Sequence, residues 1–229
     1  VIDKTVQTVQ EALAGIQDGA TILIGGFGTA GIPEELIDGL IEQGAKDLTI
    51  VNNNAGNADH GLAALLKTGR VRKIICSFPR QADSYVFDEL YRSGQIELEL
   101  VPQGNLAERL RAAGAGIGGF FTPTGYGTEL AEGKETRLIN GRWHVYETPI
   151  YGDVALIKAE AGDRWGNLTY RMAARNFGPV MAMAAQRTVA TVYEFKALGE
   201  MAPECVVTPG IFVDRVVKVP RRKTVAGGF

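Results

Sequence analysis

The sequence predicts an α/β fold: a single domain with a mostly parallel central sheet flanked by helices, and a β-hairpin insertion. Short apolar runs, several of them β-branched, recur along the chain and alternate with stretches of helical periodicity. Glycine, at 29 residues, clusters at the joints between them and not in low-complexity tracts. Buried strands separated by helices at this spacing imply a parallel sheet covered on both faces.

The elements follow in order. Val6, Val9, Leu13 and Ile16 carry helical spacing, and Gly19 is a stop. Thr21-Ile22-Leu23-Ile24 reads as a buried strand, and from Pro33 a helix presents Leu36, Ile37, Leu40 and Ile41 before Gly44 closes it. Leu48 to Val51 is the next strand and runs into Asn52-Asn53-Asn54. His60 to Lys67 reads as a helix, Val71 to Ser77 as a strand, Ala82 to Arg92 as a helix, Ile96 to Val101 as a strand and Asn105 to Ala113 as a helix. There the rhythm breaks. Gly114 to Gly127 reads as a glycine-rich aromatic loop, and Asn140-Gly141 between Glu135–Ile139 and Arg142–Tyr146 is a strong hairpin signal. Asp153 to Ala159, Val189 to Tyr193 and Phe212 to Val219 return to strand patterns. The domain is read as 1–219, and Pro220 to Phe229, with Arg221-Arg222-Lys223, as a basic solvated tail.

Composition narrows the function. A net charge of −2 gives no reason to expect nucleic acid or an anionic membrane as partner. No apolar run approaches 18 residues, no secretory leader is seen, and the two cysteines, Cys76 and Cys205, lack CxxC spacing. The chain therefore reads as a reduced, cytoplasmic, soluble protein. Its two histidines, His60 and His144, are far apart, so no metal site is expected.

Gly25 to Gly31 holds Gly26-x-Gly28-x-x-Gly31, the spacing of a dinucleotide-binding turn between a strand and a helix. Three features weigh against that use. Ile32 precedes Pro33 and is pushed out of the α region, so the helix starts at Pro33 and leaves all three glycines outside it. The second strand ends in asparagines where a ribose-binding acid belongs, and Asp47 lies at its other end. Glu34 and Glu35 would set two carboxylates against a pyrophosphate. A turn that only lets strand and helix pack closely is the plainer alternative.

The loop has company. Asp18-Gly-Ala-Thr-Ile-Leu-Ile-Gly-Gly-Phe-Gly-Thr-Ala-Gly-Ile-Pro33 resembles the first signature of the family I coenzyme A transferases, in particular the A (alpha) subunits of the 3-oxoacid CoA-transferases. Val51 to Gly56, Glu99 to Arg109, Thr124 to Gly127 and Ala174 to Phe177 continue the likeness over roughly residues 3 to 219. The resemblance implies covalent ping-pong chemistry, in which an enzyme glutamate attacks an acyl-CoA thioester and CoA is carried as an enzyme thioester. It implies coenzyme A as co-substrate and no permanently bound cofactor. That glutamate belongs to a Ser-Glu-Asn-Gly motif of the B (beta) subunit, which this chain lacks. No catalytic residue is therefore expected here, and a beta partner is. Glu34, Glu35, Glu42, Glu89 and Glu108 fit helix surfaces, Glu97 and Glu99 an exposed strand face, and Glu160 ends a buried strand.

In a parallel sheet the segments after the strands share one rim. The resemblance puts Asn53, Asn54 and Gln103 at positions that contact the acyl group or its carboxylate. It makes Gly25, Gly26, Phe27, Gly28, Thr29, Ala30 and Gly31 a CoA-proximal loop whose bare backbone permits close approach. Each of these residues also suits a turn or strand-end cap. Cys76 to Gln81 looks like the corresponding segment of transferases that use 3-oxoadipate more than those that use acetoacetate. Arg80 would then pair with the second carboxylate of a dicarboxylic 3-oxoacid. Tyr126 and Phe120-Phe121 read as loop pins, the methionines of Tyr170 to Ala185 as core or interface, and Cys76 as a core thiol. Arg175 and Asn176 lie in a family-like stretch with no role assigned. Alternatives left open are transfer to acetoacetate or acetate, and an NAD- or sugar-phosphate-binding α/β module. A regulator of the sugar-phosphate kind needs a DNA-binding segment, for which the tail is too short.

Overall fold

A computed structural model of the chain describes residues 1–221. The main sheet is built from β1 (Thr5–Val6), β2 (Thr21–Ile24), β3 (Leu48–Val51), β4 (Val71–Cys76), β5 (Glu97–Leu100), β9 (Gly152–Lys158), β12 (Ala185–Val192) and β14 (Arg215–Lys218). Its order is β1-β14-β12-β9-β2-β3-β4-β5, and every neighbouring pair runs parallel. From β2 the chain builds outward through β3 and β4 to β5; from β9 it builds the other way. The direction of growth reverses between β2 and β9, which pair Ile22 with Val154 and Ile24 with Leu156.

The strands read as apolar runs because both faces are covered: all four residues of β3 are buried. On one face Leu36, Ile37 and Leu40 of α2 (Glu34–Gln43), Leu65 and Leu66 of α3 (Leu62–Lys67) and Phe87 of α4 (Tyr85–Arg92) pack on Ile22, Ile24, Ile50 and Ile74. On the other, Leu106 and Leu110 of α5 (Gln103–Gly114) and Met181 of α6 (Gly178–Ala184) pack on Leu23, Val51, Ile75 and Ile157. The methionine-bearing run thus divides: Met181 is core, whereas Met172 is exposed. One edge strand, β1, is only two residues long, and the other, β5, carries Glu97 and Glu99, so neither offers a long apolar edge.

The first helical run differs from its reading. Thr5–Val6 is a strand paired with Val216 and Val217, and only α1 (Val9–Leu13) is helical. The Thr8 side chain accepts from the Glu11 N–H at 3.1 Å and caps the helix there, leaving Thr5 and Val6 free to pair. Pro33 is the residue before α2 rather than its first turn, and Gln103 opens α5 instead of lying in a loop. The last strand is shorter than read, because Gly210–Phe212 forms a 3-10 turn.

The hairpin insertion is larger than the two strands read. Asn140 and Gly141, at φ 51° and 76°, turn β7 (Thr136–Ile139) into β8 (Arg142–Glu147). The supposed loop of 114–127 contributes a third strand, β6 (Phe120–Thr122), on the other side of β8. A second small sheet, β11-β10-β13 (Leu168–Thr169, Ala161–Gly162, Glu194–Phe195), was not legible, since two-residue strands carry no period. Of the tail read over 220–229, residues 222–229 lie outside the described residues. Arg221 is described and is not simply solvated: it pairs with Glu160 and lies 4.3 Å from the Tyr193 ring centroid.

Buried charge fastens the three-stranded sheet to α5. Glu147 is buried, takes 2.9 Å from Lys134 and 3.2 Å from Asn105, and lies 3.8 Å from Arg109. Arg109 also donates to Glu99 at 2.9 Å and to the Thr148 carbonyl at 2.7 Å. Burial opposes the charge on Glu99, but hydrogen bonds and charge from Lys73 and Arg109 outweigh it and hold its carboxyl below the ordinary range. A lowered folded pKa stabilises the fold above the unfolded value of about 4.3, and that stability is lost as pH falls through the folded value. Glu99→Gln should therefore lower the melting temperature at pH 7, and the gap to wild type should narrow as thermal scans are taken to about pH 3.

Candidate active site

The ends of β2, β3, β4 and β5 all open on one rim, and the segments singled out in the sequence lie there. The triple asparagine is three separate devices. Asn52 is fully buried and donates to the Ile24 carbonyl at 2.7 Å, lacing the end of β3 to that of β2, while its Oδ1 accepts from the Asn54 N–H at 2.9 Å. Asn54 accepts from the Gly56 N–H at 3.3 Å, and its buried Nδ2 has no hydrogen-bond partner among the described residues. Asn53 is the hub. Its backbone carbonyl accepts from the N–H groups of Ser77 and Phe78 at 3.2 and 3.0 Å. Its Oδ1 accepts from Ser77 Oγ and from Gln103 Nε2, both at 2.7 Å.

That last bond joins residues 50 positions apart and spans the ends of three strands. Because both lone pairs of Asn53 Oδ1 are taken, the amide is held with Nδ2 turned away, and Nδ2 donates to nothing among the described residues. The result is a fixed neutral donor at a strand end, suited to a carboxylate or a developing oxyanion because it binds negative charge without a counter-charge.

The glycine loop leaves β2 beside β9: the Gly25 N–H donates to the Leu156 carbonyl at 2.9 Å. Phe27 and Ala30 then exchange two backbone bonds of 3.0 Å around Gly28 and Thr29. Gly31, at φ 74°, packs so tightly that a Cβ there would stand 2.3 Å from the Ala174 carbonyl oxygen. So glycine is needed here for contact with a neighbouring turn, not for closeness of strand and helix. Asn176 reaches this loop with its side-chain amide, a function that sequence reasoning left unassigned. The dinucleotide objections agree with the geometry. Helix α2 begins at Glu34, Glu35 is buried with its Oε2 3.7 Å from Lys158 Nζ, and Asp47 pairs with Arg72 at the opposite end of β3. The reading of Glu35 as a helix-surface residue is corrected by that burial.

Arg80 lies past the end of β4, more than half exposed, with its Nε on Asp88 Oδ1 at 2.7 Å and its two terminal nitrogens unengaged among the described residues. The Cys76 thiol is fully buried, and burial pushes its pKa up to about 12 against a weaker opposing bond from Phe78, so it is no thiolate nucleophile. Glu160, at the rim beyond β9, is occupied by Arg221. No group of three or more metal-ligating side chains exists among the described residues, and no helix there is long and apolar enough to cross a membrane.

A parallel sheet whose carboxyl rim carries ordered amides and a glycine loop has the layout of an α/β protein that binds its ligand at the strand ends. Residues 6–219 match the family described as Coenzyme A transferase, and the chain belongs to it. The A (alpha) chain of the 3-oxoadipate CoA-transferase of Pseudomonas putida is 68% identical over 96% of this chain and 95% of its own. The protein of the same description from Acinetobacter baylyi is 70% identical, over 96% of each. Among solved structures, an acyl-CoA transferase of E. coli O157:H7, crystallised as a thioester complex with CoA, has a TM-score of 0.83 at 24% identity. It matches 98% of this chain, which spans about half (49%) of that longer one. At that identity the likeness establishes the fold.

The geometry separates two roles for the joined amides. Asn53→Ala removes buried bonds and should cost about 1–3 kcal/mol in urea unfolding. Gln103→Ala, on the exposed partner, should cost less than about 1 kcal/mol in the same measurement.

Proposed function

We propose that this chain is the alpha subunit of a succinyl-CoA:3-oxoacid CoA-transferase that delivers CoA to 3-oxoadipate, and that the nucleophilic glutamate is on a beta subunit. The names and near-full-length identity of the bacterial relatives support the reaction. The observation that carries the role of this chain is the Asn53–Gln103 bond, which fixes the Asn53 amide at the rim with its Nδ2 unengaged among the described residues.

The chemistry proceeds by exchange. The partner's carboxylate adds to the succinyl-CoA carbonyl, and CoA thiolate leaves as the mixed anhydride forms. The thiolate then attacks the glutamyl carbonyl of that anhydride, releasing succinate and leaving CoA on the enzyme as a thioester. The carboxylate of 3-oxoadipate repeats the two steps in reverse and departs as the CoA ester. Each addition puts negative charge on a carbonyl oxygen. Asn53 Nδ2, locked by its two Oδ1 bonds, supplies a donor for that charge with little reorganisation when the charge develops. Asn54 and Gln103 complete the acyl-facing edge, and Gly25 to Gly31 run beside it as the CoA-proximal loop.

Among the described residues, two glutamates near the rim are already engaged: Glu35 sits beside Lys158 and Glu160 is held by Arg221. Exposed apolar residues on the same rim, Phe27 at 50% and Phe78 at 60%, favour burial by a second polypeptide. Arg80 presents its two terminal nitrogens as a fork for the distal carboxylate that 3-oxoadipate has and acetoacetate lacks.

Two outcomes test this reading. Purified alone, the chain should give no transferase turnover, and addition of the beta subunit should restore it; robust turnover by the isolated chain would overturn the division of labour. In the complex, Arg80→Ala should reduce kcat/KM for 3-oxoadipate by about ten- to a hundredfold, the worth of one charge-assisted pair, and that for acetoacetate by less than about threefold. Equal losses for both substrates would remove Arg80 from the specificity argument.

A further inference from the structure

Asn176 closes the 3-10 turn Met172–Arg175, which crosses over the glycine loop, and its side chain makes four hydrogen bonds. Oδ1 accepts from the Gly26 N–H at 3.1 Å and from the Phe177 N–H at 2.7 Å. Nδ2 donates to the Ala30 carbonyl at 3.0 Å and to the Ala173 carbonyl at 2.9 Å. Two of the four go to the loop, at Gly26 on its outgoing arm and Ala30 on its returning arm. The other two go to the asparagine's own turn. The amide thus ties both arms of the loop to one turn, donor to acceptor and acceptor to donor, as an adjoining strand would.

Other contacts secure this neck as well: at its base the Gly25 N–H donates to the Leu156 carbonyl at 2.9 Å and Asn52 Nδ2 reaches the Gly25 carbonyl at 3.4 Å. Inside it, Phe27 and Ala30 exchange two bonds, and outside it, Gly31 touches the Ala174 carbonyl. Met172 at the start of the turn has φ 50°, a left-handed conformation that costs about 1–2 kcal/mol outside glycine. That cost brings the turn over the loop. Few side chains can replace the asparagine: aspartate lacks the donor, serine lacks the span, and glutamine sets its amide a methylene further out.

We infer that Asn176 is a positioning residue for CoA binding, fixing the path of Gly26 to Gly31 so that the loop meets acyl-CoA already shaped. The inference rests on the transferase reading above, which makes the loop CoA-proximal. A loop held in its binding shape loses less freedom when the ligand arrives, so the clamp acts on ligand affinity. It makes no bond to the Asn53–Gln103 pair, so the chemical step is left largely intact.

The experiment uses the complete two-subunit enzyme with Asn176→Ala and Asn176→Asp, the second keeping the size and the acceptors while removing both donors. In each variant KM for succinyl-CoA should rise about tenfold or more while kcat falls less than about threefold, the pattern of lost binding without lost chemistry. Backbone amide exchange should accelerate in the peptide spanning 25–31 and stay unchanged over β3 to β5. The inference is overturned if Asn176→Asp binds succinyl-CoA like wild type, if kcat falls as much as kcat/KM, or if exchange accelerates throughout the chain. Absence of turnover in the wild-type complex would instead refute the transferase reading, and the exchange measurement would still judge the clamp.

Discussion

The parallel pairing of β2 with β9 is the constraint on which the molecule depends. These strands are adjacent in the sheet yet separated in sequence by β3, β4 and β5 with their helices and by the three-stranded sheet. Because the sheet grows away from them in opposite directions, the segments leaving their carboxyl ends have no connecting chain between them, the place where open α/β sheets as a class bind ligands. The glycine loop occupies that place. Its first N–H bonds to β9, its path bends under a turn that precedes β12, and its exit enters α2 beside Lys158. Three parts of the chain meet where the sheet changes direction.

The rim beside this switch point is ordered by side-chain amides. Asn52 laces two strand ends, Asn53 gathers Ser77 and Gln103, and Asn176 ties the loop. A neutral amide carries both a donor and an acceptor, so it can be anchored by one half and present the other. A charged side chain anchored equally well would impose its charge on whatever bound beside it. For a site proposed to hold carboxylates and thioesters in turn, neutrality allows negative charge to appear and leave without a standing ion pair to break. The formal charges are used elsewhere: buried Glu147 and Arg109, with half-buried Glu99, form a lattice that fastens the three-stranded sheet to α5, whose first residue is Gln103. That sheet therefore also helps set the helix start on which the amide pair depends.

Much of the fold was readable from local pattern. β2, β3 and α2 lie almost where their apolar periods put them, because a strand buried on both faces shows a nearly continuous apolar run and a one-sided helix repeats every three or four. The departures have local causes as well. Thr8 caps a helix that periodicity alone would start earlier, and β6 hides among glycines because three residues cannot establish a period. The shared rim was legible too, since parallel strands must all end on the same side. Its pairings were not. Nothing in Asn53 indicated that residue 103 would take its lone pair, and nothing in Asn176 indicated a bond to Gly26.

By itself the sequence determined the class of fold, the succession of strands and helices, and the family, because each is written in residue types at short spacing. Only the tertiary structure decided which strand lies beside which, that Glu35 is buried next to Lys158, and that a distant asparagine closes the glycine loop. The physical reason is range. Periodicity and turn chemistry act over a few residues, whereas a hydrogen bond across 50 or 150 positions exists only after the sheet has set its order.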